Sequence, residues 1–423
     1  MKQNEWNPAN TLNKVREKKD VIVGLDIGTS KVVAIVAEFS PGKGVEVIGM
    51  GSSPSRGLKK GVVVNIESTV HSIQRALEEA ELMADCKIKE VWTGIAGSHI
   101  KSFNSHGMVA IKDAEVAQPD VERVIETAKA IPIPTDQQVL HVLRQEFVID
   151  GQEDVREPLG MNGVRLEAKV HIVTGATSAI QNILKCVRRC GLEVVDLILQ
   201  PIASGNSVLS EDERELGVCL LDIGGGTSDM AVYTNGAIQH TAVIPIAGDQ
   251  ITNDIAMALR TPTKEAEEIK ITHGCASRHL VDTKEMINVP GIGDRSARKL
   301  SRHTLVEVIG PRVEELYSLV QAELRRSGFE ELIRSGVVIT GGTASMPGMN
   351  ELGEELFHMP FRLGQPSYSG TLSEVMRNPR FSTGMGLVFS AMEHAEIQKN
   401  NRLQRGAVTG GLEKLKNWFK ANF

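Results

Sequence analysis

The chain has 423 residues, and its 47 Lys and Arg against 53 Asp and Glu leave a net charge of −6, which excludes a chain-wide basic surface for nucleic acid. A hydrophobic content of 41% is enough to bury cores in roughly three units of ~150 residues. No run of 18 apolar residues is long enough for a membrane-spanning helix, the polar N-terminus lacks a signal core, and an odd count of five cysteines suits reduced thiols in a cytosolic setting.

Residues 1–20 read as a polar lead-in, expected to be disordered. Residues 21–39 read as strand, glycine turn, strand: VIVGL, DIGTSK, VVAIVAEF. Apolar residues at a helical period (Val70, Ile73, Leu77, Ala80, Ala84) predict a helix over 66–85. From 89 to 165 the texture turns strand-rich around one helix, DVERVIETAKAI, with Asp120 as the expected N-cap, and Pro132 and Pro134 ending it. This stretch is expected to be a small inserted subdomain within a first lobe spanning 21–88 and 166–216. Strand AKVHIVTG, a helix closed by Gly191 and strand EVVDLILQ complete that lobe. A second lobe follows: core at 217–251, a charged helical insertion at 252–330, and core again at 331–380. Residues 381–393 are expected to return as a helix to the first lobe, followed by a polar linker at 394–410.

DIGTS (26–30) and DIGGGTSD (222–229) are one element used twice, each between two apolar strands. Two copies in two halves predict a duplicated α/β fold whose lobes face a cleft. Gly28, Gly224, Gly225 and Gly226 leave no Cβ between backbone N–H groups and an approaching phosphate. Thr29, Ser30 and Thr227 stand in the same loops, where the threonine hydroxyls can donate as well. Lys31 can reach a phosphate as a point charge or remain a solvated strand-edge lysine. Asp26 and Asp222 end their strands, where carboxylates suit a hydrated Mg²⁺ held between them. A third loop, GVVITGGTASMPGM, places Gly341 and Gly342 where a base or ribose can lie on the backbone. No G-x-x-x-x-G-K-[ST] loop or Rossmann glycine fingerprint occurs. Cys186 and Cys190 share a helix face, but no second pair completes a zinc set.

The DIGTSK, DIGGGTSD and TGGTASMPG loops resemble the two phosphate loops and the adenosine loop of the actin and heat-shock chaperone ATPase superfamily. LQPIASG (199–205) and FSTGMGLVFSAM (381–392) resemble its two connecting helices. The stretches PSRGLKKG, ALEEAELMADC, EDERELGVCLLDIGGGTSDMAVYTNGA and HTLVEVIGPRVEEL are similar to its bacterial cell-division branch, the FtsA family. The resemblance implies an actin-like fold of two lobes and four subdomains, ATP and Mg²⁺ as ligands, and self-association into filaments. It implies a tether between the membrane and the tubulin-like FtsZ ring, gripped through the FtsZ C-terminal peptide, with later division proteins recruited at the cytoplasmic face of the inner membrane. It places Glu267 and Lys270, in AEEIK, near the ribose and base, and gives Gln200 the role of orienting a water. Glutamine cannot accept a proton usefully, so hydrolysis is expected to be weak. The second-half insertion is the implied partner surface, with Arg298 and Arg312 as candidate contacts. A pilus-assembly adaptor of similar fold and a nucleotide-driven chaperone-type ATPase are the alternatives.

The feature that separates an adaptor from those alternatives is the end of the chain. Taken as a helix at ~100° per residue, 411–423 gathers Leu412, Leu415, Trp418, Phe419 and Phe423 on an arc of about 140°. Lys416 flanks that arc and can snorkel toward anionic headgroups. The pattern predicts a helix lying in a membrane interface.

Overall fold

The computed structural model describes residues 20–397, apart from positions 41, 43 and 294. The lead-in up to residue 19 and the 411–423 segment, with Leu412, Leu415, Lys416, Trp418, Phe419 and Phe423, lie outside the described residues.

Two five-stranded sheets share one strand order. In the first, Asp20–Ile27, Lys31–Ser40 and Gly44–Pro54 form an antiparallel meander. Glu90–Ile95 pairs parallel with the free side of the first strand, and Glu193–Leu199 adds parallel beyond it. The second sheet repeats this with the meander Val218–Ile223, Ser228–Thr234 and Ala237–Ile244, extended by Val337–Thr340 and Phe361–Leu363. Val218–Ile223 is buried along its whole length, as the apolar run Val218 to Leu221 requires of a strand covered on both faces, and Asp222 is buried with it. Helix Ile66–Ala84 covers the first sheet, burying Val70, Ile73, Leu77 and Ala80, and starts where the Asn65 side chain accepts from the Ser68 N–H at 2.9 Å.

A third sheet is built from Ile100–Ala110, Gln137–Ile149, Gln152–Val155 and Arg165–Ala176, with helix Gln118–Lys129 packed on it. Glu90–Ile95 belongs to the first-lobe sheet and Arg165–Ala176 to this one, so the inserted unit lies later in the chain than 89–165. Asp120 is not the N-cap. Pro119 starts the helix earlier, and the Asp120 carboxylate accepts from the Ala117 N–H at 3.1 Å, three residues upstream. The second-lobe insertion carries helices Gly248–Ala258, Thr263–His273 and Arg302–Ser327. Its basic stretch is not helical throughout: Met286–Val289 and Arg298–Ser301 pair as a hairpin.

Two helices join the lobes. Gln200–Val208 leaves the last strand of the first sheet, and a helix over 382–397 returns to pack against Val33, Ile35 and Phe39. They meet at Gly386, where an added Cβ would sit 1.7 Å from the Ala203 carbonyl oxygen, so only glycine permits this approach.

Candidate functional site: a cleft between two matched turns

The strand registers place Ile27 opposite Val32 and Ile223 opposite Ser228. Each hairpin therefore leaves a four-residue turn, Gly28 to Lys31 and Gly224 to Thr227. In both, the first residue's N–H donates to the fourth residue's carbonyl at 3.0 Å. Lys31 thus corresponds by position to Thr227, and Thr29 to Gly225. The turns face each other closely: a Cβ on Gly225 would lie 2.8 Å from the Ser30 Cβ, and one on Gly226 would lie 2.6 Å from Thr29 Oγ1. Thr29 Oγ1 also accepts from the Gly61 N–H at 3.0 Å.

Between the lobes lies a cavity of about 490 Å³. Its lining contains Asp26, Gly28, Thr29, Ser30, Lys31, Gln200, Asp222, Gly224, Gly225, Gly226, Thr227, Glu267, Lys270, Gly341 and Gly342. The fold thus brings together every nucleotide-site residue that the sequence nominated. It adds Asp229, Asp249, Thr343 and Arg380. Asp229 ends the DIGGGTSD motif, so its signal was present in the sequence; Arg380 carries none.

The carboxylates are crowded and dry. Burial pushes Asp26 up to about 6; Lys31 opposes that rise and Asp222 adds to it. Burial, reinforced by the Asp222 charge, pushes Asp229 up to about 7. Asp222 is also raised by burial, against the Ser204 hydroxyl bonded to it. Burial lowers Lys31, whose ammonium donates to the Arg380 carbonyl. One Asp229 oxygen accepts from the Thr227 hydroxyl at 3.0 Å, while Oδ1 is buried with no hydrogen-bond partner. Such an oxygen suits a cation or an ordered water. Among the described residues no group of three or more His, Cys, Asp or Glu could ligate a metal directly. Hard carboxylate oxygens spread across facing strand ends fit Mg²⁺ held through its waters.

At the Asp26 end, Gln200 Nε2 donates to Asp26 Oδ1 at 3.2 Å. At the other end, Lys270 Nζ donates to Glu267 at 2.7 Å, to Thr252 Oγ1 at 2.8 Å and to the Gly248 carbonyl at 3.1 Å. Gly341 has φ +91°, and a Cβ there would lie 2.4 Å from Asp222 Oδ1. Gly342 meets nothing nearer than 4.0 Å, the Arg380 Cβ, so this wall stays flat and open. The chemistry available is a row of backbone N–H groups, one ammonium and buried acids at one end, with a bare backbone shelf at the other.

Arg298 and Arg312 lie away from the cleft in the second-lobe insertion, and each is already engaged. Arg298 donates to the Leu259 carbonyl. Arg312 grips Asp254 through two bonds of 2.5 and 3.1 Å and also pairs with Glu315.

The family model for cell division protein FtsA matches residues 219–386, and the model for the SHS2 domain inserted in that protein matches 97–174. Cell division protein FtsA of Pseudomonas aeruginosa is 60% identical over 95% of this chain and 98% of its own length. The Escherichia coli K12 protein of that name is 45% identical over 97% of this chain and all of its own. Among solved structures, a PilM-PilN type IV pilus biogenesis complex aligns with a TM-score of 0.64 at 18% identity, over 88% of this chain and 98% of the other. MreB5 of Spiroplasma citri bound to ADP aligns at 0.52 and 15%, over 90% and 98%. The duplicated sheets and the facing turns are those of the actin-like ATPase fold, and the chain belongs to the FtsA family of cell division proteins.

Proposed function

We propose that this cell-division protein binds ATP with Mg²⁺ in the inter-lobe cleft, and that the bound state, more than turnover, drives its work. The observation that carries the reading is the pair of matched glycine turns closing on one cavity, with Lys31 and three buried aspartates at its floor. The N–H groups of Thr29–Lys31 and Gly225–Thr227 would cradle phosphate from both sides. Mg²⁺, when bound, supplies the positive charge that offsets phosphate and carboxylate together. The shelf at Gly341 and Gly342 would take the base and ribose, with Glu267 and Lys270 beside them. Spiroplasma citri MreB5 has been solved with ADP and with AMPPNP, which supports a nucleotide ligand for this fold. Gln200 would orient a water from its place on Asp26, and with an amide there no general base is supplied.

Self-association into filaments fits the fold, since MamK of the same architecture forms a double helical filament. The C-terminal 411–423 pattern supports attachment to an anionic inner-membrane surface, and no described helix is long and apolar enough to cross one. The output would be a tether of the FtsZ ring at the cytoplasmic face of that membrane, with later division proteins recruited to it. The FtsZ C-terminal peptide would dock on the second-lobe insertion near Arg298 and Arg312. A fluorescent-ATP titration tests the cleft. Asp222→Ala should lower affinity in Mg²⁺ by about tenfold or more, the worth of a charged partner; unchanged affinity would refute the assignment.

A further inference from the structure

One carboxylate oxygen in the cleft is shared by both lobe-joining helices. Ser204, fully buried on helix Gln200–Val208, donates its hydroxyl to Asp222 Oδ2. Thr383, on the helix over 382–397, donates to the same oxygen at 3.2 Å and lies 3.1 Å from Ser204 Oγ. The other oxygen, Oδ1, is packed against Gly341 on the nucleotide shelf. Asp222 is therefore touched by four elements: its own strand, both crossing helices and the third loop. Four residues before Ser204 on the same helix, Gln200 Nε2 donates to Asp26 of the opposite lobe at 3.2 Å. Residues four apart on a helix share a face about 6 Å apart along the axis. A single turn of one helix thus spaces the facing carboxylates of the two lobes.

The crossing point gives this spacing mechanical meaning. The helices touch at Ala203 and Gly386, and Ser207 Oγ donates to the Ser382 carbonyl at 2.8 Å beside that contact. Asn206 Nδ2 donates to Ser390 Oγ at 3.0 Å one turn further along. The lobes are joined through this seam, so a change in lobe angle must shear it. Asp26 and Asp222, holding a cation between them, would load the same seam from the cleft side.

We propose that Ser204 and Thr383 are positioning residues that convert cation binding at Asp222 into a change of angle between the lobes. The inference rests on the Mg²⁺–ATP reading above. Ser204 is fully buried and Thr383 lines the cleft; each acts through the Asp222 carboxylate.

The test uses the full chain, with ATP affinity measured in EDTA and in Mg²⁺, and amide-hydrogen exchange followed over 200–208 and 382–397. In the wild type, Mg²⁺ should tighten ATP and slow exchange in both helices. Ser204→Ala should bind ATP in EDTA like the wild type, yet lose the added protection and about tenfold of the Mg²⁺-dependent tightening. Thr383→Val, which keeps shape and removes the hydroxyl, should show the same loss of Mg²⁺ response, and Thr383→Ser should restore it. The inference is overturned if both hydroxyl-free variants keep the wild-type Mg²⁺ response, or if the wild-type helices gain no protection. It is overturned too if Thr383→Ser is as impaired as Thr383→Val, since packing would then be the cause. A wild type that binds no ATP overturns the nucleotide reading and this inference with it.

Discussion

Gly341 concentrates the demands of the site on one residue. Its φ of +91° lies where side chains are strained, and its Cα faces Asp222 Oδ1 with no room for a Cβ. Gly341→Ala should therefore cost on the order of 1–3 kcal/mol in backbone strain alone. The displaced carboxylate should weaken Mg²⁺-dependent ATP binding further. A urea titration read beside an ATP titration checks both, and a variant as stable and as tight as the wild type would contradict this packing. Residues of this kind were legible because each sits in a short pattern whose spacing is local: D-I-G after an apolar strand, or G-G after another. Ser204 and Thr383 were not. Asp222 lies 18 residues from Ser204 and 161 from Thr383, and an isolated hydroxyl in a helix carries no mark of the carboxylate it will meet.

Pairing partners decide what the elements become, and alternation within a strand does not name its partner. Arg165–Ala176 looked like first-lobe sequence, but it pairs on both sides with strands of the inserted unit. That pairing carries His171 to the seam between the inserted unit and the second lobe. There its ring nitrogens lie 2.6 Å from Asn104 Oδ1 and 2.9 Å from Thr241 Oγ1. Burial, with the nearby His240, pushes His171 down to about 4. A histidine held neutral in the fold takes up its proton more readily when unfolded, near pH 6.5. Its contribution is thus present at neutral pH and is lost as pH falls from about 6.5 toward 4, to a total of about 3 kcal/mol. His171→Gln should flatten the fall in urea midpoint across that window. A slope equal to that of the wild type would assign the acid sensitivity elsewhere.

At the scale of the whole molecule, the proposed function divides between the described lobes, which would hold nucleotide, and the 411–423 pattern, which would hold the membrane. Deleting 411–423 should release the protein from anionic vesicles in co-sedimentation while ATP binding stays at the wild-type level; a truncated protein that still pellets with vesicles would refute the anchor. On that reading a single copy would offer about 1.5–3 kcal/mol of gross burial per large side chain, less the cost of ordering a short helix. Attachment should therefore strengthen steeply with the number of linked copies. Charge reversal at Arg312 is a less clean probe of partner docking, because it also breaks the pair with Asp254. Arg295 and Lys299, exposed on the same stretch, test that surface without this cost. The identical strand order of the two sheets has one more consequence. A duplicated frame has a near-symmetric cleft, in which a ligand could enter either way round. The fourth strand of each sheet, Glu90–Ile95 in one lobe and Val337–Thr340 in the other, pairs parallel with the strand that carries that lobe's aspartate. Two departures abolish the equivalence. Lys31 stands where the partner turn has Thr227, so the floor carries its ammonium on one side alone. By that register Ile95 and Ala96 stand where the second lobe has Gly341 and Gly342, so the bare backbone shelf lies on one side alone. An asymmetric ligand is thereby given one direction, and every copy of the chain must hold it with the same polarity relative to its own lobes.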